Sequence, residues 1–378
     1  MNNGNQNGNN NKTNLRWARA VRRLNVNIDF NELFSAYLSC RKNKRRSKNS
    51  IEFELNLEEN LYNLYDDLCN NTYEIGQFIY FILTKPKIRE VWASNFRDRI
   101  IHHFIYNRMY PYYKNIFIND TYACIPNKGT SGAFNKLIKY VRSESEDYTH
   151  DTYVLKMDIK NFFINIDRNI LWDLIKYDVF IQDINKLIYK VIFHDPKNNY
   201  KFNGNQKLIN YVPTHKRLFN ANTNCGLPIG NLTSQFFANI YLNELDKYCK
   251  TELNIKYYIR YMDDIIIVSK NKKLLKSYTP YIKNFVKTNL NLQFHINKTN
   301  IQNINSGVDF VGKILFPFHI NIRKSTLKSL YSVLIENKIE SINSYFGMLR
   351  SVNSHNIRKN IALNGIFVFD KEYTKILC

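Results

Sequence analysis

Tyr257-Tyr258-Ile259-Arg260-Tyr261-Met262-Asp263-Asp264-Ile265-Ile266-Ile267-Val268-Ser269 places two adjacent carboxylates where two apolar, β-rich runs meet. Strand-like flanks on both sides argue against a plain surface turn, because desolvating neighbouring carboxylates is costly unless a cation compensates. A divalent metal is the natural compensation. A second β-rich run, Tyr153 to Ile159, carries Asp158 near its end. Alone, Asp158 reads as a strand-end cap and Asp263-Asp264 as a hairpin turn; together they favour a metal site. Phosphoryl transfer with two Mg2+ ions about 4 Å apart needs carboxylates from more than one chain segment. Asp158 supplies the third.

Composition points the same way. The 378 residues hold 54 Lys plus Arg against 32 Asp plus Glu, a formal charge of +22, which sets the chain apart from typical small-metabolite enzymes. Such a field concentrates polyanions, and the 27 Tyr, 25 Phe and 3 Trp offer faces on which bases stack. Nucleic acid is therefore the expected partner, ahead of an anionic membrane surface. With 44% apolar residues the chain can build a packed core, and disorder as a whole is excluded. The first residues lack an apolar signal region and no run of about 18 apolar residues follows, so neither a membrane span nor secretion is expected and the location is cytoplasmic. Cys40, Cys69, Cys124, Cys225, Cys249 and Cys378 form no CxxC pair and read as reduced, mostly structural thiols.

Residues 1–13 are rich in Asn and Gly and are expected to be a floppy tail. Arg41, Lys42, Lys44, Arg45, Arg46 and Lys48 form a basic knot, either a solvated loop or a surface for RNA. From Phe53 to Phe81 the apolar spacing predicts one amphipathic helix, Thr84 to Val91 a basic hairpin arm, and Arg97 to Met109 a further helix. Gly226-Leu227-Pro228-Ile229-Gly230 punctuates the centre, with a helix through Phe236, Ile240 and Leu245 after it. From Asn321 the pattern is helical and basic.

Asp158-Ile159-Lys160-Asn161-Phe162-Phe163, the segment Gly226 to Gln235, and Tyr261-Met262-Asp263-Asp264 resemble motifs A, B and C of reverse transcriptases. The resemblance spans roughly residues 53–357. It implies an α+β right hand: an N-terminal extension and fingers over 14–150, an antiparallel palm over 151–312 with a fingers insertion around 175–222, and a helical thumb over 313–378. It also implies a metal set of Asp158, Asp263 and Asp264 with Ile159, holding two Mg2+ that Mn2+ can replace. Phe163 falls where the family packs an aromatic under the sugar to exclude a 2′-hydroxyl, with Phe162 able to share the role. Lys85 and Arg89 match the triphosphate-grasping cations. Lys298, in Asn297-Lys298-Thr299, matches a lysine that protonates departing pyrophosphate. Ile229, Gly230, Gln235 and Tyr261 match positions around the nascent base pair. Gly307 to Gly312 looks like a primer-grip hairpin.

Gly226-Leu227-Pro228-Ile229-Gly230-Asn231-Leu232-Thr233-Ser234-Gln235 departs from the group II intron and retron pattern at Ile229 and Gln235. In that form it resembles enzymes of diversity-generating retroelements. The resemblance thus implies an RNA-directed DNA polymerase working with template RNA, a primer extended into cDNA, dNTPs and a small basic accessory protein. A defence-associated enzyme copying a non-coding RNA, and a non-catalytic RNA-binding shell, are the competing readings. No endonuclease, protease, RNase H or zinc-ribbon segment is expected in the remainder.

Overall fold

The structure, a computed structural model, describes residues 28–42, 47–85, 87–178, 184–336 and 339–363. Its strands are β1 (Phe78–Leu83), β2 (Arg89–Ala93), β3 (Tyr153–Asp158), β4 (Tyr200–Phe202), β5 (Tyr258–Tyr261), β6 (Asp264–Ser269), β7 (Asn300–Asn303), β8 (Val308–Phe310), β9 (Lys313–Leu315) and β10 (Ile320–Ile322). The chain divides into two compact units. One comprises Met1–Leu83, Arg89–Ile116 and Asp167–Phe237; the other Thr84–Ile88, Phe117–Ile166 and Ala238–Cys378.

In the first unit, helix Phe30–Arg41 is capped by Asp29 and helix Lys48–Leu55 by Ser47. The single helix expected from Phe53 to Phe81 is instead split. Asn56 separates Lys48–Leu55 from Leu57–Cys69. The second helix ends at Cys69, and Asn71 then takes the left-handed region (φ 56°), which Asn enters more readily than most non-glycine residues. The aromatic and β-branched run that follows is β1, antiparallel to β2 and parallel to β4. Residues 84–88 are thus the connection of a hairpin whose arms lie on either side of it. Tyr80 stacks on Trp92 with ring centroids 4.2 Å apart, and Phe202 and Phe219 meet them edge-on or tilted.

Helix Phe96–Ile116 runs past the expected end at Met109 and carries Pro111. Tertiary packing explains the extension: Tyr113 is buried and its hydroxyl donates to Asp178 Oδ2 at 2.6 Å. Of the basic knot, Arg41 pairs with Glu54 at 2.6 Å and Lys48 with Glu52 at 3.8 Å; Lys44, Arg45 and Arg46 lie outside the described residues, as do residues 1–13 and Cys378.

The second unit holds an antiparallel sheet of order β5-β6-β3-β7. Its strands bury Val154, Ile259, Ile266 and Val268 against Phe134, Leu137 and Val141 of helix Gly129–Glu144. A small sheet, β10-β9-β8, follows, and helices Lys324–Ile335, Ile339–Leu349 and His355–Leu363 share a core of Leu330, Val333, Leu334, Phe346 and Leu349. Helices accompany sheets that are antiparallel except for the β1 and β4 pair, so the expected α+β class holds. Among the described residues no disulfide joins the cysteines, and no helix is long and apolar enough to cross a membrane.

Candidate active site

β3 and β6 run antiparallel with Asp158 directly opposite Asp264, and such Cα partners lie about 5 Å apart. Tyr261 pairs with Asp264 across β5 and β6, leaving Met262 and Asp263 as a two-residue turn with Met262 left-handed at φ 55°. The turn is tied to β3 by the Ile159 N–H, which donates to Asp263 O at 3.3 Å. Three carboxylates from two distant stretches of chain therefore meet at one end of the sheet.

Their electrostatics shows the strain of that meeting. Burial, then the charges of Asp264 and Asp158, push Asp263 up to about 7. Burial also raises Asp264, while Lys156, Lys298 and Lys87 hold it down. Lys298 Nζ sits 2.8 Å from Asp158 Oδ2. Among the described residues no three His, Cys, Asp or Glu side chains are gathered tightly enough to hold an ion as they stand. The donor set nonetheless suits a hard divalent cation: all the side-chain ligands are carboxyl oxygens, three of these groups meet, and burial and mutual repulsion raise Asp263. The side chain of Ile159 is buried and apolar, so only its carbonyl could join them.

Of the remaining site residues, Phe163 follows the buried Phe162 with ring centroids 5.3 Å apart and keeps partial exposure. Tyr261 is half-buried against the sheet core, its hydroxyl raised by burial and by Cys124. Lys85 is turned to the helix Lys324–Ile335 and its cap, 2.6 Å from Glu336 Oε1 and 2.9 Å from Ser332 Oγ. Arg89 is exposed at the start of β2, opposite Leu83. In the loop between them Lys87 is the cation felt by Asp264.

Ile229, Gly230 and Gln235 belong to the other unit. Ile229 O accepts the Trp92 N–H at 2.7 Å, fastening this segment to β2. Gly230 has φ 131°, and a Cβ there would come within 2.8 Å of Val91 Cγ1 and 3.0 Å of Trp92 O. Gln235 lies half-buried in the first turn of helix Leu232–Lys247. At Gly307 the space of a Cβ is filled by Phe316 and Ile314, so the demand for glycine there comes from within the fold.

Lys156 and Lys87 escaped the sequence reading, as did Arg260, which is fully buried beside the turn. The signal was a lone cation inside an apolar strand pattern, at Lys156 and Arg260 alike.

A family model described as reverse transcriptase (RNA-dependent DNA polymerase) matches residues 84–315, more than half of the chain. The chain is 22% identical over 356 residues to the putative COX1/OXI3 intron 2 protein of Saccharomyces cerevisiae, covering 77% of this chain and 38% of that protein. Protein YkfC of Escherichia coli is 22% identical over 300 residues, 70% of this chain and 73% of its own. The group II intron-encoded protein LtrA of Lactococcus lactis subsp. cremoris is 25% identical over 203 residues, 53% and 30%. This chain thus spans well under half the length of the first and third of these relatives. Among solved structures, apo telomerase from Candida tropicalis, truncated from its C-terminal domain, aligns with a TM-score of 0.44 at 12% identity over 66% of this chain and 55% of that one. Telomerase from Candida albicans with a fragment of telomeric RNA aligns at 0.40, 13% identity, 66% and 46%.

Proposed function

Because this chain belongs to the reverse transcriptase (RNA-dependent DNA polymerase) family, we propose that it is an RNA-directed DNA polymerase adding deoxynucleotides to a primer 3′-hydroxyl on an RNA template. The observation that carries the reading is the pairing of Asp158 with Asp264 beside the Asp263 turn. Asp158, Asp263 and Asp264, with the Ile159 carbonyl, would hold two Mg2+, which Mn2+ can replace. Bound there, the ions would activate the attacking hydroxyl and neutralise departing pyrophosphate.

The protein's own groups do the rest. Lys298 stays paired with Asp158 at rest and gives a proton to the leaving group. Phe163 packs under the sugar and disfavours a 2′-hydroxyl. Lys85 and Arg89 grasp the triphosphate, a task that requires Lys85 to leave Glu336, and Lys87 of the same loop shares it. Ile229, Gly230, Gln235 and Tyr261 shape the site of the nascent base pair. In the proposed hand, fingers span 14–150, palm 151–312 and thumb 313–378.

The form of the Gly226 to Gln235 segment supports a place in a diversity-generating retroelement, with a small basic accessory protein as partner. A variable-repeat target beside the gene fits this; its absence moves the reading to a defence enzyme making cDNA from a non-coding RNA. Primer extension on an RNA template with Mg2+ tests the activity. Wild type should extend and Asp263→Ala should not; extension unaffected by Asp263→Ala would refute the assignment.

A further inference from the structure

Arg260 is fully buried, and its guanidinium forks onto Asp246, Nε to Oδ1 at 2.7 Å and Nη2 to Oδ2 at 2.6 Å. Asp246 also accepts from Tyr258 at 2.7 Å and Thr121 at 2.8 Å, so each of its oxygens takes two donors. Both side chains have no exposure. Buried ion pairs are poor sources of net stability, since desolvation offsets most of the attraction. What they do well is fix geometry.

The geometry fixed here is the carboxylate turn. Arg260 Nη1 has hydrogens left after the fork, and they reach Asn239 Oδ1 at 3.0 Å and Met262 O at 3.2 Å. Met262 is the left-handed residue of the turn, a conformation that a non-glycine side chain adopts at some cost. Asp263 follows at once, pressed by the like charges of Asp158 and Asp264, and opening the turn would relieve that repulsion. The backbone of Arg260 is fastened too, its N–H donating to Asp120 O at 2.9 Å and its carbonyl accepting from Tyr122 N–H at 3.0 Å. Asn239 is held in turn by donating to Ala123 O at 2.8 Å.

We propose that Arg260, anchored by Asp246, is the positioning residue that holds the Met262-Asp263 turn closed, so that Asp263 stays where it can share a cation with Asp158 and Asp264. This rests on the polymerase reading for its consequence in catalysis, and on contacts within one unit of the fold for its geometry.

Two variants separate positioning from folding. Arg260→Lys keeps a charge beside Asp246 but cannot both pair and reach the Met262 carbonyl. Arg260→Met with Asp246→Asn removes the charges together, leaving the amide oxygen to accept from Tyr258 and the amide N–H to donate to Thr121 Oγ1 with its hydroxyl turned; should the single variant fail to fold, this neutral pair carries the test. Melting by circular dichroism and binding to an RNA template with a DNA primer should stay near wild type. Mn2+ binding without nucleotide, titrated by electron paramagnetic resonance, should weaken about tenfold or more. In primer extension kcat should fall about tenfold to a hundredfold, with the KM for deoxynucleotide changed far less. Folded variants that bind Mn2+ and turn over like wild type would overturn the proposal and leave the pair as a neutraliser of the core. The Mn2+ arm reads the turn without chemistry, so it decides the positioning role even if wild type fails to extend a primer, an outcome that would count against the polymerase reading alone.

Discussion

Under the proposed function Ile229 lies beside the nascent base pair, at a position where the resemblance to group II intron and retron enzymes implies Gln, and its apolar side chain would then forgo a polar contact. Its backbone is fixed, because its carbonyl takes the Trp92 N–H at 2.7 Å, so only the side chain can alter selection. Sequencing cDNA made by wild type and by Ile229→Gln should show fewer errors for the variant, with the loss concentrated opposite template adenines. Identical error spectra would retire the idea. At this scale the sequence marks the acids that the sheet brings together, and leaves Lys156 and Lys87 beside them unmarked. Asp158, Asp263 and Asp264 announce themselves because carboxylates inside apolar strand patterns are rare. Which lysine of the 84–88 loop faces them depends on where the loop points: Lys85 goes to Glu336, while Asp264 feels Lys87.

Among the elements, the hairpin of β1 and β2 and the segment after Gly226 show what pattern reading sees. The glycine at 230 was legible as punctuation. Its reason is tertiary: with φ 131° and Val91 and Trp92 against the Cβ position, Gly230→Ala should destabilise the protein by about 1 to 3 kcal/mol, read as a lower Tm in a thermal melt.

The helix Phe96–Ile116 buries His102 between Ser94 Oγ at 2.8 Å and Thr233 Oγ1 at 2.7 Å. Since Ser94 Oγ donates to Asn231 Oδ1, the ring must donate at Nε2 and accept from Thr233 at Nδ1. A second proton would occupy the Nδ1 lone pair and force the Thr233 hydroxyl to turn from donor to acceptor, and burial lowers the imidazole from 6.5 to about 3. With the folded value depressed, the unfolded chain binds the proton that the fold refuses, so stability is lost as pH falls below 6.5. The slope is about 1.4 kcal/mol per pH unit from this group. Urea titrations at pH 7 and pH 5 should show a drop of about 2 kcal/mol in wild type, much reduced in His102→Asn. An equal drop in the variant would place the acid sensitivity elsewhere. No pattern in the sequence marks His102, because its partners lie 8 and 131 residues away.

For the whole molecule the net charge of +22 sets the expectation. Engaging about 6 to 10 phosphates predicts that affinity for an RNA and DNA duplex falls by roughly three to five decades between 50 and 200 mM salt. Fluorescence anisotropy across that range checks it, and a flat response would rule out an extended duplex channel.

Residue type and local spacing marked the three acids and raised the expectation of a polyanionic partner, since charge and hydrophobic period are properties of the chain itself, and the motifs' resemblance to a family implied the class of fold. Only the tertiary structure decided where the helix after Phe53 breaks, how far Phe96–Ile116 extends, and that Arg260 finds Asp246 and the Met262 carbonyl. Those outcomes depend on which groups meet once the strands pair, and pairing partners far apart in sequence leave no local trace.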